Sequence, residues 1–454
     1  MKTVWEKYES YEDIMSFNDL YKNFLDKAKT EREAVETACE LAIEHGFKSL
    51  DSYETLKTGD KVYVTNRGKN ICLFVMGRQP LTDGMNILGA HIDSPRIDLK
   101  QHPIYEDNGL VLFDTHYYGG IKKYQWVATP LALHGVVCKK DGSTVKVSIG
   151  EKESDPVVGI SDLLIHLAAD QMIKTAAKVI EGEDLNVLVG SIPSKDKDTE
   201  KDKVKKNILD LLKEKYDIEE DDFISAELEI VPAGHARDLG LDRSMVMGYG
   251  HDDRVCAFTS LKAILDIEVP DRTACCILVD KEEVGSQGNS GMQSRFFENV
   301  IAKIMAKANE FSPIALMDCL SNSKMLSSDV SAAFDPNYPS VNEPKNTAYF
   351  GKGLCLNKYT GSRGKGGCND ANPEFIAQIR KVMDDNDVMF QTSELGRVDQ
   401  GGGGTIAYIL ANLNVEVIDA GIAVQNMHSQ YEVVSKADVY EGYRGYKAFL
   451  KDIK

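Results

Sequence analysis

Residues 273–279 (TACCILV) form an almost wholly apolar run that breaks at once into DKEEVGS. A short apolar run bounded by charge reads as a strand, and one without alternation must be covered on both faces. That constrains the chain more than any other feature, because it demands a sheet with helices on either side. Residues 85–90 (MNILGA) make a second apolar run, which ends in AHIDSPR, residues 90–96. Residues 61–66 and 70–76 flank Arg67-Gly68-Lys69 and predict a hairpin. Thr30 and Glu33 make a capping box, apolar residues then repeat at helical spacing, and Gly46 stops the helix. Helical patterns follow residues 252–254 (DDR) and cover 294–311, and strand and helix alternate again from Val415. The expectation is an α/β fold.

The middle of the chain differs. Residues 98–235 open with β-rich segments such as TPLALHGVV and STVKVSIG and then carry a charged stretch, residues 194–222. The charged stretch reads as a solvated loop leading into a surface helix. We therefore expect a discontinuous domain, 1–97 and 236–454, interrupted by an inserted domain, 98–235. A net charge of −18 disfavours nucleic acid, whose binding needs clustered positive charge. No stretch reaches the ~20 apolar residues of a membrane span, so no membrane partner is expected. The acidic N-terminus does not resemble a signal peptide. Nine cysteines without a CxxC pair read as reduced thiols and a cytoplasmic location. A metal, if present, falls to His, Asp and Glu.

Five such motifs stand where apolar segments end: His91-Ile92-Asp93, Asp252-Asp253-Arg254, Glu282-Glu283, Asp329 and His428. Each alone has a structural reading. An HxD pair can be packing, DDR at a helix start can be an N-cap, and paired Glu can be a solvated face. Their shared position is the stronger signal, since ligands of open α/β sheets bind beyond the carboxyl ends of the strands. Two His, two Asp and one Glu, with one Asp shared, satisfy two zinc-like ions and leave a Glu as base, the make-up of a two-metal hydrolase site. No G-x-S-x-G is present, and Gly401–Gly404 lack the Lys of a phosphate loop. These glycines read as a tight turn before a helix or as a close backbone approach to a bound peptide.

AHIDSPR, GHDDR, DKEEVGS, LSSDVSAAFDPNYPS and MHS, in that order, resemble the signature blocks of the aspartyl aminopeptidase and vacuolar aminopeptidase I family of zinc metallopeptidases. YYGGIKKYQW, IHL (165–167), VPAGHARDLG and RVDQGGGGTI extend the similarity over most of the chain. The resemblance implies a mixed-sheet zinc-aminopeptidase domain with helices on both faces, interrupted by a β-rich dimerisation domain. It also implies a homo-oligomer, a tetrahedral dodecamer. Carried over by motif, His91 and Asp329 bind one zinc, Asp252 bridges two, and Glu283 and His428 complete the second. Glu282 is then the general base and Asp93 orients His91. Cobalt and manganese also suit such a site. Asp253 stands where relatives often carry Asn and takes no ligand role, and His251 caps or packs. His166 reads either as a core histidine or as a residue reaching a neighbouring subunit's site.

The activity so implied is release of the N-terminal residue of short peptides, with a metal-activated water attacking the scissile carbonyl. A lean to acidic residues would draw on Lys352, Lys358, Arg363 and Lys365, with Lys358 the substrate-binding candidate. Alternatives are a broad or neutral-residue aminopeptidase or a deacylase on the same site and, in a different class, a non-catalytic self-assembling shell protein.

Overall fold

The computed structural model describes residues 2–196 and 199–454. The chain divides into two compact units, Met1–Ser94 with Ala236–Met427 and Glu432–Lys454, and Pro95–His235 with His428–Tyr431. The first crossing falls at Pro95 because the strand Arg96–Asp107 is already paired with Leu110–Tyr118 from Arg96 onward.

The first unit is built on a nine-stranded mixed sheet. At its centre Ala274–Val279, Asn86–His91, Lys324–Ser327 and Glu416–Gly421 lie side by side and parallel. Helices cover both faces, as the unalternating apolar runs demand. Leu88 and Ala90 point into one apolar cluster, built with the helices Glu12–Lys27, Glu31–Glu44, His251–Leu265, Pro373–Asp385 and Lys436–Asp452. Ile87 and Ile277 point into the other, with Phe296–Lys307, Pro313–Ser321 and Ala407–Ala411. The expected hairpin is present as Lys61–Asn66 against Asn70–Val75. A smaller five-stranded sheet in the same unit pairs Met245–Gly248 with Glu432–Ser435 and sets Gly248 opposite Glu432.

The second unit carries a six-stranded antiparallel sheet that includes Leu131–Cys138, Thr144–Ile149 and Ala226–Pro232. The charged stretch forms the surface helix Lys203–Tyr216, and its residues Lys197 and Asp198 lie outside the described residues. Among the described residues no helix is long and apolar enough to cross a membrane. All nine cysteines are free thiols.

The capping box forms as the sequence predicts. The Thr30 hydroxyl accepts the Glu33 amide at 3.2 Å, and the Glu33 carboxylate accepts the Thr30 amide at 3.1 Å. Thr30→Ala removes one acceptor from a buried helix start and should destabilise the protein by about 1 kcal/mol. The urea unfolding midpoint reads this, and Thr30→Ser should restore most of it.

Candidate metal centre

Three neighbouring parallel strands end at one edge, and each runs on into a residue of the predicted set. His91 closes Asn86–His91 and stands opposite Val279, so Glu282 and Glu283 follow just beyond it. On the other side Ser327 stands opposite Gly89, and Asp329 follows two residues later. The helix His251–Leu265, buried on nearly every side, delivers Asp252 and Asp253 to the same edge. Strand register therefore gathers residues that lie far apart in the chain.

The geometry is close. His91 Nε2 lies 3.1 Å from Asp252 Oδ1 and 4.0 Å from Glu282 Oε2. Ligand atoms of His91, Asp253 and Asp329 all fall within 4.8 Å of one another, and so do those of His91, Glu282 and Glu283. His91 Nδ1 donates to the Asp93 carbonyl at 3.0 Å and sits 3.4 Å from the Asp93 carboxylate. Asp93 also accepts the amides of Glu282 at 3.1 Å and Glu283 at 3.2 Å. One buried carboxylate thus orients the imidazole and shapes the turn that presents both glutamates.

Burial pushes the carboxyl pKa of Asp253 well above its ordinary value. Burial, and then the neighbouring Asp253, do the same to Asp329. For His91 burial opposes the charged ring, but Asp252 and Asp93 outweigh it and hold the pKa well above the histidine range. No hydrogen bond of normal geometry reaches either carboxylate oxygen of Asp253. Carboxylates crowded on an imidazole at one buried strand edge fit a divalent cation of the zinc type, which takes oxygen and nitrogen ligands.

The remaining predicted residues fall as follows. His428 belongs with the second unit, where its Nδ1 donates to the Gly120 carbonyl at 2.9 Å. His166 is exposed on a short turn, Ile165–Leu167, which sets aside the core-histidine reading. His251 is buried, 2.5 Å from the Tyr21 hydroxyl, and burial pushes its pKa down to about 3, so it packs as a neutral ring. The Lys358 ammonium is bonded to the Asp370 carboxylate and to the Ala371 carbonyl, and Lys365 meets the same Asp370 at 2.9 Å. Asp253 is the residue that sequence reasoning passed over. Its signal was the acidic doublet itself, at a helix start where burial normally excludes charge.

A sheet edge lined with buried carboxylates and a histidine defines a metallohydrolase of the α/β class. A profile of the family described as aminopeptidase I zinc metalloprotease (M18) matches residues 24–450, and the chain belongs to that family of zinc aminopeptidases. It is 58% identical over 457 residues to the probable M18 family aminopeptidase 1 of Clostridium acetobutylicum, covering 99% of this chain and 98% of that protein. The crystal structure of an M18 aminopeptidase from Thermotoga maritima superimposes with a TM-score of 0.96 at 43% identity, covering 99% of both chains. The fold is shared more distantly by the S. cerevisiae mApe1 dodecamer, with a TM-score of 0.78 at 23% identity, covering 96% of each chain. The chain is therefore a metallo-aminopeptidase with the mixed α/β fold its sequence implied.

Asp93→Ala strips an acceptor from two amides and from the His91 ring. Zinc affinity should fall about 10- to 100-fold, as when other groups that orient a ligand are removed. Titration of the metal-stripped protein with zinc against a fluorescent chelator checks this, and an unchanged affinity removes the orienting role.

Proposed function

We propose that the chain releases the N-terminal residue of short peptides at a centre of two zinc ions. His91 and Asp329 hold one, Glu283 and His428 hold the other, and Asp252 bridges them. The observation that carries this reading is the crowding of buried carboxylates on His91 at one strand edge. When bound, zinc supplies Lewis acidity for the scissile carbonyl and lowers the pKa of a water towards neutral. Glu282 accepts the proton of the attacking water at its carboxylate and returns it to the leaving amine. Asp93 keeps His91 Nδ1 protonated and turned inward. Carboxylates at the edge also suit a free α-amino group, which limits cleavage to the first residue.

The inserted unit is proposed to dimerise and to build a tetrahedral dodecamer in the cytoplasm. Leu163, Leu164, Ile165, Leu167, Met172 and Ile173 are all exposed around His166. Such a patch needs a cover. The dodecameric relative supports a second copy of this chain as that cover, with His166 reaching the neighbour's site. The free thiols support a reducing compartment.

An acidic preference would rest on Lys358, with Lys352, Arg363 and Lys365 beside it. A neutral-residue preference is the second reading, favoured by the sharing of Asp370 between Lys358 and Lys365.

A panel of aminoacyl chromogenic substrates, read with metal content, tests these readings together. Exhaustive chelation should abolish turnover, and zinc, cobalt or manganese should restore it. Glu282→Gln should keep its metal and lose roughly 10²- to 10⁴-fold in kcat. Asp252→Ala should lose the metal itself. A metal-free Glu282→Gln beside an Asp252→Ala with full rate and metal reverses the two roles.

Assembly has its own measurement. Sedimentation velocity should show a particle of about twelve chains, and His166→Ala should lower turnover at unchanged metal content. Mixed oligomers of His166→Ala and Glu282→Gln should partly recover activity. A fully active monomer overturns both the assembly and the role of His166 in a neighbour's site.

A further inference from the structure

We infer that Ser94 and Glu432 are positioning residues for the metal centre, which act by clamping both backbone groups of Asp252; this rests on the proposed role of Asp252 as a ligand. The helix His251–Leu265 begins irregularly, with Asp252 at φ −82, ψ 106 and Asp253 at φ −115, ψ 27. A buried backbone that departs from helical geometry still needs partners for its N–H and C=O groups. Two side chains supply them. The Asp252 amide donates to the Glu432 carboxylate at 2.9 Å, and the Ser94 hydroxyl donates to the Asp252 carbonyl at 2.6 Å. Ser94 and Glu432 are each 1% exposed, so water does not compete for either bond.

The origin of the clamp is specific. Ser94 lies three residues beyond His91, and Glu432 lies four residues beyond His428. Glu432 reaches Asp252 because the small sheet sets Gly248 opposite Glu432, and Gly248 leads by a short turn into the helix start. The α-carbon of Asp252 is thus held between two fixed points, and its peptide planes cannot turn without breaking a buried bond. That holds Asp252 Oδ1 at 3.1 Å from His91 Nε2.

The test uses the full-length protein and zinc itself. Ser94→Ala, Glu432→Ala, Glu432→Gln and Asp252→Ala are stripped of metal and titrated with zinc against a fluorescent chelator. kcat and KM are read on one substrate, and the melting temperature is read on the stripped form. Ser94→Ala and Glu432→Ala should weaken zinc about 10- to 100-fold and lower kcat more than they change KM. Glu432→Gln keeps an oxygen acceptor and should recover most of the affinity. Should Glu432→Ala fail to fold, Ser94→Ala and Glu432→Gln still decide. Wild-type zinc affinity in Ser94→Ala and Glu432→Ala, beside loss in Asp252→Ala, overturns the clamp alone. An Asp252→Ala that binds zinc normally overturns the ligand reading instead. A Glu432→Gln as weak as Glu432→Ala shows that charge, not the amide bond, matters, and also overturns the clamp. A variant whose only change is a lower melting temperature of the stripped form marks a structural role and does the same.

Discussion

Mutual repulsion of carboxylates at one strand edge is the interaction on which the rest of this structure turns. Like charges about 4 Å apart repel by about 4 kcal/mol even at an effective dielectric near 20. A folded domain has only about 5–15 kcal/mol of net stability. The edge that gathers Asp252, Asp253, Glu282, Glu283 and Asp329 around His91 therefore cannot hold all five carboxylates charged without a cation between them. Its natural counterweight is positive charge, and the zinc metalloprotease family to which the chain belongs supplies it as metal. The covered sheet, the buried helix His251–Leu265 and the clamps around Asp93 and Asp252 hold these carboxylates together against that repulsion.

Comparison with other buried acids in the same unit separates a structural carboxylate from a functional one. Asp438 is fully buried, and burial raises its pKa to about 7, yet it accepts the amides of Gly351 and Gly353 at 2.7 Å each. Glu441 meets Arg444 at 2.8 Å and Lys7 at 3.2 Å. Asp238, only half-buried, is surrounded by Lys22, Lys436 and Arg243, all within 2.9 Å. Each of these acids is satisfied by protein and fastens a turn or a helix. Asp253 has a comparable burial and, among the described residues, no cation or pair of amides of that kind at hydrogen-bonding distance. Burial alone does not mark the site; what sets Asp253 apart is its place in one cluster with His91 and Asp329.

Much of this was legible from sequence because the strands are short and their ends abrupt. TACCILV into DKEE and MNILGA into HID announce both a two-sided sheet and the edge where charge begins. The hairpin and the Thr30 capping box depend only on neighbours a few residues apart, and they form as read. What stayed hidden depends on partners far along the chain. Nothing near Glu432 announces a bond to Asp252, because that bond follows from the pairing of Gly248 with Glu432 across the small sheet. Asp370 likewise gives no sign in sequence that it engages both Lys358 and Lys365. His428 looks like part of its preceding strand, but it groups with the inserted unit.

That pairing at Asp370 bears on how specificity arises. A chain with a net charge of −18 repels acidic peptides at long range and draws in a protonated amino end. At physiological ionic strength this field decays over about 8 Å, so it governs approach and not the final choice of residue. The choice is made by whatever charge stands within that distance of the first side chain. In the loop after Leu354–Asn357, Lys358 and Lys365 face a shared carboxylate, and much of their field is cancelled where they stand. Arg363, held at a positive φ of 52° in the same loop, makes no ion pair among the described residues. For these cations, the partners they meet and not their number set how much charge the loop presents, and a count of lysines and arginines does not give it.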